Sequence, residues 1–570
     1  MISSRSLALL GALVIVPGVL PAQMPQGSSS RSSPPLPLKH TPKPTTAAIS
    51  SADLMSRLYV FADDSMMGRD AGTLGAMKGT AYIAAEAKRL GLEPAGEGGS
   101  YFQNVPFIAR TLDPKTPLSV NGTPLVAYTD FVAVPFRGAE PRGIDGAEVV
   151  YGGTVSDATS LTAEQVAGKF VVMRARTGFA FRVTASSPLS KAAGIAYVMG
   201  PELSAATLAT GRSPTLTLPP APNAPSALIT LNITASAAER LFSKPLDGLT
   251  IGATGGKVQG NLQFVSRPAP TRNVVAILRG SDPVLRGQYV AVGAHSDHVG
   301  YRVTGPVDHD SLHLILQQRY FALENPTGAT RPLEETNAIQ ARLAQLRVNV
   351  DSLRNVRPAR RDSINNGADD DGSGTVTVLE LAEAFRRGTV KPRRSLLFVW
   401  HTGEEKGLLG SRHFTDHPTV PRDSIVAQIN IDMVGRGAST DLRAGSEEYL
   451  QLVGSRRLST ELGDLVETVN KAQRTPFSFD YTFDADGHPD NIYCRSDHYN
   501  YARYGIPVVF LTTGLHGDYH QVTDEPQYID YPHMARVGGF VFDLVNRVAA
   551  LDHRPVVDKE KPDPTGTCKQ

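Results

Sequence analysis

The sequence predicts an α/β protein: a mostly parallel central sheet flanked by helices, with a second, β-rich domain inserted early in the chain. Three observations carry this. From about Asn273 onward, near-continuous apolar runs alternate with helical stretches. The runs are Tyr289 to Ala294, Ser395 to Trp400, Ile425 to Ile431 and Ile506 to Leu511, and Thr375 to Arg386 is a helical stretch between two of them. Strands of this kind are buried on both faces, and their alternation with helices builds a parallel sheet. Residues 111–264 read differently, as short β-rich runs separated by turns rich in Gly, Pro and Ser. Finally, 570 residues exceed one ordinary domain.

Taken in order, residues 1–22 read as an export signal. Arg5 supplies the positive start, Leu7 to Val19 a short apolar run, and Leu20-Pro21-Ala22 a small residue at a cleavage point. The run is short for a membrane span and no second one follows, so no stable membrane insertion is expected after cleavage and the location is secreted or periplasmic. Residues 23–50, rich in Ser, Pro and Thr, read as a disordered linker. Ser51-Ala52-Asp53 starts a helix, and Gly79 to Leu90 carries helical spacing in Tyr82, Ile83, Ala85 and Leu90. Residues 51–110 and 265–555 form one domain around the insert at 111–264, whose strands are expected at Ala147 to Tyr151, Phe170 to Met173 and Ile195 to Met199. A further insertion, 305–363, has helical spacing from Ala338 to Leu353 and is either a lid or a solvated surface helix pair. Residues 556–570 are a Pro- and Lys-rich tail.

The net charge of +1, with 41% hydrophobic and 20% charged residues, gives no reason to expect a nucleic-acid partner. Two cysteines, Cys494 and Cys568, exclude a disulfide scaffold. Export permits a bridge between them, and two free thiols are equally open.

The residues that carry chemistry fall at strand ends. His295 closes the run from Tyr289, Glu404 and Glu405 follow Trp400, Asp432 follows Ile431, His520 lies in the loop after Leu511, and Asp370 precedes the helix at Thr375. In open α/β sheets, sites form at the carboxyl ends of strands. One acid or histidine there is more often structural; convergence from five segments points to a site. Imidazole and carboxylate ligands without thiolates suit zinc. A divalent pair also offsets Asp370, Glu405 and Asp432, which would otherwise repel one another in a low-dielectric cleft. Part of this set has a competing reading. Asp369, Asp371, Ser373 and Glu380 fit the spacing of a calcium loop, although Asn365-Asn366-Gly367 breaks the helix such a loop requires.

The motifs His295-Ser296-Asp297-His298, Gly367 to Gly374 (Gly-Ala-Asp-Asp-Asp-Gly-Ser-Gly), His401 to Ser411, Asn430-Ile431-Asp432-Met433, Ser496-Asp497-His498 and Tyr519-His520 resemble the M28 metallopeptidases, which include bacterial leucyl aminopeptidases and the glutamate carboxypeptidases. The match in order and spacing covers roughly residues 51–110 and 265–550. The resemblance implies a zinc-exopeptidase fold of the phosphorylase/hydrolase-like type with two Zn2+ per chain. Asp370 would bridge both ions, with His295 and Asp432 completing one and Glu405 and His520 the other. Glu404 would be the general base and acid, and Asp297 would hydrogen-bond the far nitrogen of His295. A cis bond between Asp370 and Asp371 is also implied. The insert 111–264 resembles the protease-associated (PA) domain, on the residues Gly146 to Gly153, Val166 to Met173 and Lys191 to Val198. The segment 305–363 is longer than the family's usual connection.

The implied activity is removal of N-terminal residues from a peptide substrate by metal-activated water. Three alternatives stay open: a glutamate carboxypeptidase-like exopeptidase, which needs a cationic pocket; a one-zinc glutaminyl cyclase relative; and a catalytically inactive binding protein of the same architecture. Oligomeric state is not legible in the sequence.

Overall fold

The computed structural model describes residues 36–133, 139–155, 161–175, 183, 187–220, 223, 226–323, 338–339, 341–343 and 345–570. Leu38–Gln570 forms one compact unit. The export segment 1–22 and the first part of the linker lie outside the described residues. No helix among the described residues is long and apolar enough to cross a membrane.

The central sheet has nine strands: β1 (Glu93–Pro94), β2 (Phe102–Val105), β3 (Thr271–Leu278), β4 (Tyr289–His295), β5 (Ser395–His401), β6 (Ile425–Ile431), β7 (Tyr449–Val453), β8 (Ser478–Asp480) and β9 (Val508–Thr512). They run in the order β1-β3-β5-β4-β6-β9-β7-β8, with β2 also paired to β3. The four central strands β5, β4, β6 and β9 are parallel, as is β7 with β8, while β3 joins β5 and β7 joins β9 antiparallel. The parallel expectation therefore describes the centre, and the flanks are mixed. Every residue of β4, β5, β6 and β9 is buried, which is why these strands read as unbroken apolar runs.

The flanking helices are α1 (Ser51–Phe61), α2 (Leu74–Arg89), α3 (His309–Ala322), α4 (Gly374–Arg387), α5 (Leu409–Asp416), α6 (Thr460–Lys471) and α7 (Tyr531–Ala550). Ser50 caps α1, its Oγ accepting from the Asp53 N–H at 3.1 Å. Tyr289 and Ala291 of β4 share a buried cluster with Phe414 of α5 and Tyr501. Side chains alternate along a strand, so Val290 and Val292 point to the other face, against which α4 and α7 pack. α7 buries Met534, Val537, Phe540, Val541, Leu544 and Val545 at helical spacing.

One ion-pair cluster ties α1, α2 and α4 together. The fully buried Arg57 guanidinium contacts the carboxylates of Glu86, Glu380 and Glu383. Burial still pushes the Glu380 carboxyl up to about 7 despite that partner. Thr45 adds a hydrogen bond to Glu383 at 2.6 Å, and Thr46 bonds the Asp53 carboxylate at 2.8 Å. The expectation of a disordered linker to residue 50 therefore fails for this stretch, because its hydroxyls complete the α1 cap and the Arg57 cluster. Arg57→Ala leaves the buried Glu380 carboxyl without its cation, while Glu383 keeps Arg89 and Arg387; a loss of about 3–5 kcal/mol is expected, read as a shifted urea midpoint at constant slope.

The insert forms its own eight-stranded sheet. It includes Ile144–Thr154, Phe170–Arg174, Gly194–Gly200 and Ile229–Thr234 in parallel array. These strands contain the runs expected from sequence, and their own hydrophobic cluster lies beneath them. Short helices, among them Ala205–Arg212 and Ala235–Phe242, accompany this β-rich sheet. Its two ends meet in an antiparallel neck, Ile108–Leu112 against Phe264–Pro268, with Leu112 opposite Phe264.

In the segment 305–363 the described residues of the expected stretch are helical at 338–339, 341–343 and 345 and again at Asp351–Arg354, with 346–350 non-helical between them; α3 is a further helix that the apolar spacing did not mark. Val348, Asn349 and Val350 are poor helix formers.

The C-terminal tail is tied to the core. Cys568 forms a disulfide with Cys494, closing a separation of 74 residues, and the Gln570 side chain bonds the Tyr493 N–H at 2.9 Å and the Phe483 carbonyl at 2.8 Å. A loop of this length makes the cross-link worth about 4 kcal/mol by chain entropy. The Cys494→Ser, Cys568→Ser double variant is expected to lose stability of that order in urea unfolding. An unchanged midpoint would show that the bridge constrains nothing.

Candidate metal centre

Four parallel strands deliver the candidate residues to one edge of the sheet. β4 ends at His295. β5 ends at His401, and the turn after it carries Glu404 and Glu405. β6 ends at Ile431, one residue before Asp432, and the loop after β9 carries His520. Asp370 comes from the irregular turn Ala368–Ser373 that opens α4.

These residues form two groups whose potential ligand atoms lie within 4.8 Å of one another: His295, Asp370 and Asp432, and His298, Asp370, Glu405 and His520. Asp370 belongs to both. Its Oδ1 lies 3.1 Å from His295 Nε2, and its Oδ2 lies 3.0 Å from His520 Nε2. His295 Nε2 is 3.6 Å from Asp432 Oδ1, and His520 Nε2 is 3.0 Å from Glu405 Oε2. Asp370 Oδ2, Glu405 Oε1 and His520 Nε2 are buried atoms without a hydrogen-bond partner. Buried polar atoms are rarely left unpaired, and here the orphans converge. Imidazole and carboxylate oxygen in such a cluster fit a zinc ion.

The neighbouring polar residues hold these side chains in place. The Asp370–Asp371 peptide bond is cis. The Asp371 carboxylate accepts from the His295, Gly374 and Met433 N–H groups at 3.0, 2.9 and 3.2 Å, knitting together the ends of β4, α4 and β6. Asp369 accepts from the Gly435 N–H at 2.6 Å and pairs with His516 at 3.1 Å. Asp524 accepts from the Asp369 and Asp370 N–H groups, each at 3.0 Å. Ser496 donates to Asp432 Oδ2 at 2.7 Å and accepts from Asn430 at 2.8 Å. The calcium-loop reading fails here. Asp369 and Asp371 are bound to different backbone segments, Ser373 donates to the Asp369 carbonyl at 2.8 Å, and Glu380 pairs with Arg57.

Two residues differ from their sequence reading. The far nitrogen of His295, Nδ1, lies 3.0 Å from the Asp297 backbone carbonyl and 3.9 Å from its carboxylate. The carboxylate instead accepts from the Glu404 N–H at 3.2 Å, and burial pushes it up to about 7. Asp297 thus fixes His295 through its main chain and Glu404 through its side chain. His298, a motif residue that spacing alone leaves without a role, stands in the second group, with Nδ1 2.9 Å from Glu405 Oε1. Its place three residues beyond His295 was the available signal. Asp524, four residues after His520, was also missed. His401 closes β5 yet turns away, pairing with Asp497 at 3.3 Å and Tyr501 at 3.0 Å.

The two adjacent glutamates are driven apart electrostatically. Burial, with Glu405 and Asp432 nearby, pushes the Glu404 carboxyl well above the usual range. For Glu405, burial and Asp370 act upward, but His298 and His520 outweigh them and hold it at about 2. Groups pushed in opposite directions mark a division between proton carrier and permanent anion.

A cavity opens over His295, Asp370, Glu404 and Asp432. Phe483, Ile492, Phe510 and Leu515 form apolar walls, and Arg495 stands in the lining, its guanidinium 3.2 Å from the Tyr519 hydroxyl. From the insertion 305–363, α3 docks on the loop bearing His520. His313 and Gln317 each meet the Asp518 carboxylate at 2.9 Å, and the His313 ring stacks on Tyr528 at 3.9 Å.

Residues 348–545 match the family model for peptidase family M28. Leucine aminopeptidase 1 of Paracoccidioides brasiliensis (strain Pb03) is 31% identical over 210 residues, 34% of this chain and 51% of the relative. Leucine aminopeptidase 1 of Uncinocarpus reesii (strain UAMH 1704) is 30% identical over 213 residues, 34% and 50% of the two chains. The matches span about half the length of these curated relatives. Among solved structures, the aminopeptidase from Aneurinibacillus sp. strain AM-1 aligns over 90% of this chain and 97% of its own, with a TM-score of 0.47 and 15% identity. The zinc aminopeptidase BSAP from Bacillus subtilis aligns over 90% and 99%, with a TM-score of 0.45 and 16% identity.

Proposed function

We propose that this chain, M28-like across residues 348–545, is a secreted aminopeptidase that holds two zinc ions and hydrolyses N-terminal residues from peptides. The observation that carries the reading is the sharing of Asp370. One carboxylate oxygen faces His295 in one donor group, and the other faces His520 in the second. In this reading His295 and Asp432 complete one site, and Glu405 and His520 the other. Bound there, zinc would supply a Lewis acid and lower the pKa of water toward 7.

The remaining steps belong to the chain. Glu404 lines the cavity, its Oε2 4.0 Å from His295 Nε2, and burial outweighs the pull of that imidazole on its carboxyl. Its raised affinity for a proton suits it to take one from the attacking water and deliver it to the leaving amine. The hydrogen bond from its N–H to Asp297 fixes the turn that presents it. The apolar walls suit a hydrophobic terminal side chain, and the surplus of carboxylates beside them suits a free ammonium group. The insert 111–264 is read as a PA domain beside the peptidase domain, and residues 1–22 as the export signal. The Cys494–Cys568 bridge fits an oxidising compartment.

Arg495 supports a second reading, a carboxypeptidase whose cationic lining residue receives the substrate's free carboxylate. Peptides blocked at one end separate the two. Release of free amino acids is expected from a C-terminally amidated peptide and not from its N-acetylated counterpart. The reverse pattern overturns the aminopeptidase reading and leaves the metal centre standing.

A further inference from the structure

We propose that His298 is a protein ligand of the second metal site, which then has four side-chain donors, two of them imidazoles, and fills before the first. The inference rests on the two-zinc reading above.

His298 is fully buried, and neither ring nitrogen has a hydrogen-bond partner among the described residues. Leaving both nitrogens of a buried imidazole unpaired is costly. Its Nδ1 lies 2.9 Å from Glu405 Oε1 and 3.7 Å from Asp370 Oδ2. The contact with Glu405 has the length of a hydrogen bond but lacks its direction, since both atoms count among the unpaired. Two atoms so close, neither aimed at the other, share a third point of attention. Zinc–nitrogen and zinc–oxygen bonds of about 2.0–2.2 Å put neighbouring ligands about 3.0–3.5 Å apart. The separations among His298 Nδ1, Glu405, Asp370 Oδ2 and His520 Nε2 run from 2.9 to 3.7 Å along the pairs in contact. They read as edges of one coordination polyhedron.

The ring is also built into position. Gly367 has φ +57°, and a Cβ there would come within 2.5 Å of His298 Cγ, so the glycine leaves room for the imidazole. The His298 and His520 rings meet edge to face at 5.5 Å. The other group has one imidazole and two carboxylates, His295, Asp370 and Asp432. With four side chains against three, the His298 site should bind the more tightly.

Zinc X-ray absorption on the whole wild-type chain tests this without any variant. Loaded with zinc at both sites, the protein is expected to show an average of about 1.5 imidazoles per ion, rising to about 2 at one equivalent. About one imidazole per ion at both loadings overturns the proposal while leaving the two-zinc centre intact. No zinc bound at all overturns the centre itself, and the proposal with it. His298→Gln gives a second readout by calorimetric zinc titration. The tighter step is expected to weaken at least about 100-fold, with the looser step unchanged. Two unchanged steps in a variant whose circular dichroism matches wild type contradict the proposal.

Discussion

Replacing Glu404 by Gln is expected to lower turnover about 10³-fold or more while zinc content stays at the wild-type level. The amide keeps the size of the carboxylate and the N–H bond to Asp297, but it has no charge with which to accept a proton. Glu404 is absent from both donor groups, so metal binding should not change. Turnover on an unblocked peptide, with elemental analysis of the same preparation, reads both quantities. Full activity in the variant removes Glu404 as the base. Lost zinc would make it a ligand.

Asp370→Asn should have a larger effect on the centre. Asp370 is the one residue common to both donor groups, and its two oxygens face different histidines. Although burial pushes its carboxyl upward, His295 and His520 outweigh that and hold it well below the usual range, so it is an anion at any working pH. An amide offers one oxygen and no charge. Zinc is expected to fall from two ions per chain to fewer than one after gel filtration. The lost Lewis acidity should lower activity by about 10⁴-fold. Retention of two ions would show that Asp370 is not shared between sites.

Much of this site was legible in the sequence, for a physical reason. Strands buried on both faces are written as unbroken apolar runs, so the residue ending each run could be located by eye. His295, Asp432 and the Glu404–Glu405 pair follow such runs directly. Roles that depend on side-chain direction were not legible. Spacing cannot tell the carbonyl of Asp297 from its carboxylate, and the two serve different partners. His401 ends β5 just as His295 ends β4, yet it turns toward Asp497. His298 and Asp524 act from loops whose path is set by backbone hydrogen bonds and a left-handed glycine rather than by any periodic pattern. The helix α3 was not legible because its apolar spacing is weak and its anchor is polar, on Asp518. The disulfide could not be decided from the sequence, because closing it depends on where the tail returns.

In the two-zinc reading, Asp370 and the histidines and acids around it hold two ions on which peptide hydrolysis depends. Zinc can be titrated into the chelator-treated chain while release of the N-terminal amino acid from an unblocked peptide is followed. Negligible hydrolysis is expected without metal, and a rate that climbs and levels off at two equivalents. Hydrolysis that survives metal removal, or a plateau at one equivalent, would contradict that reading.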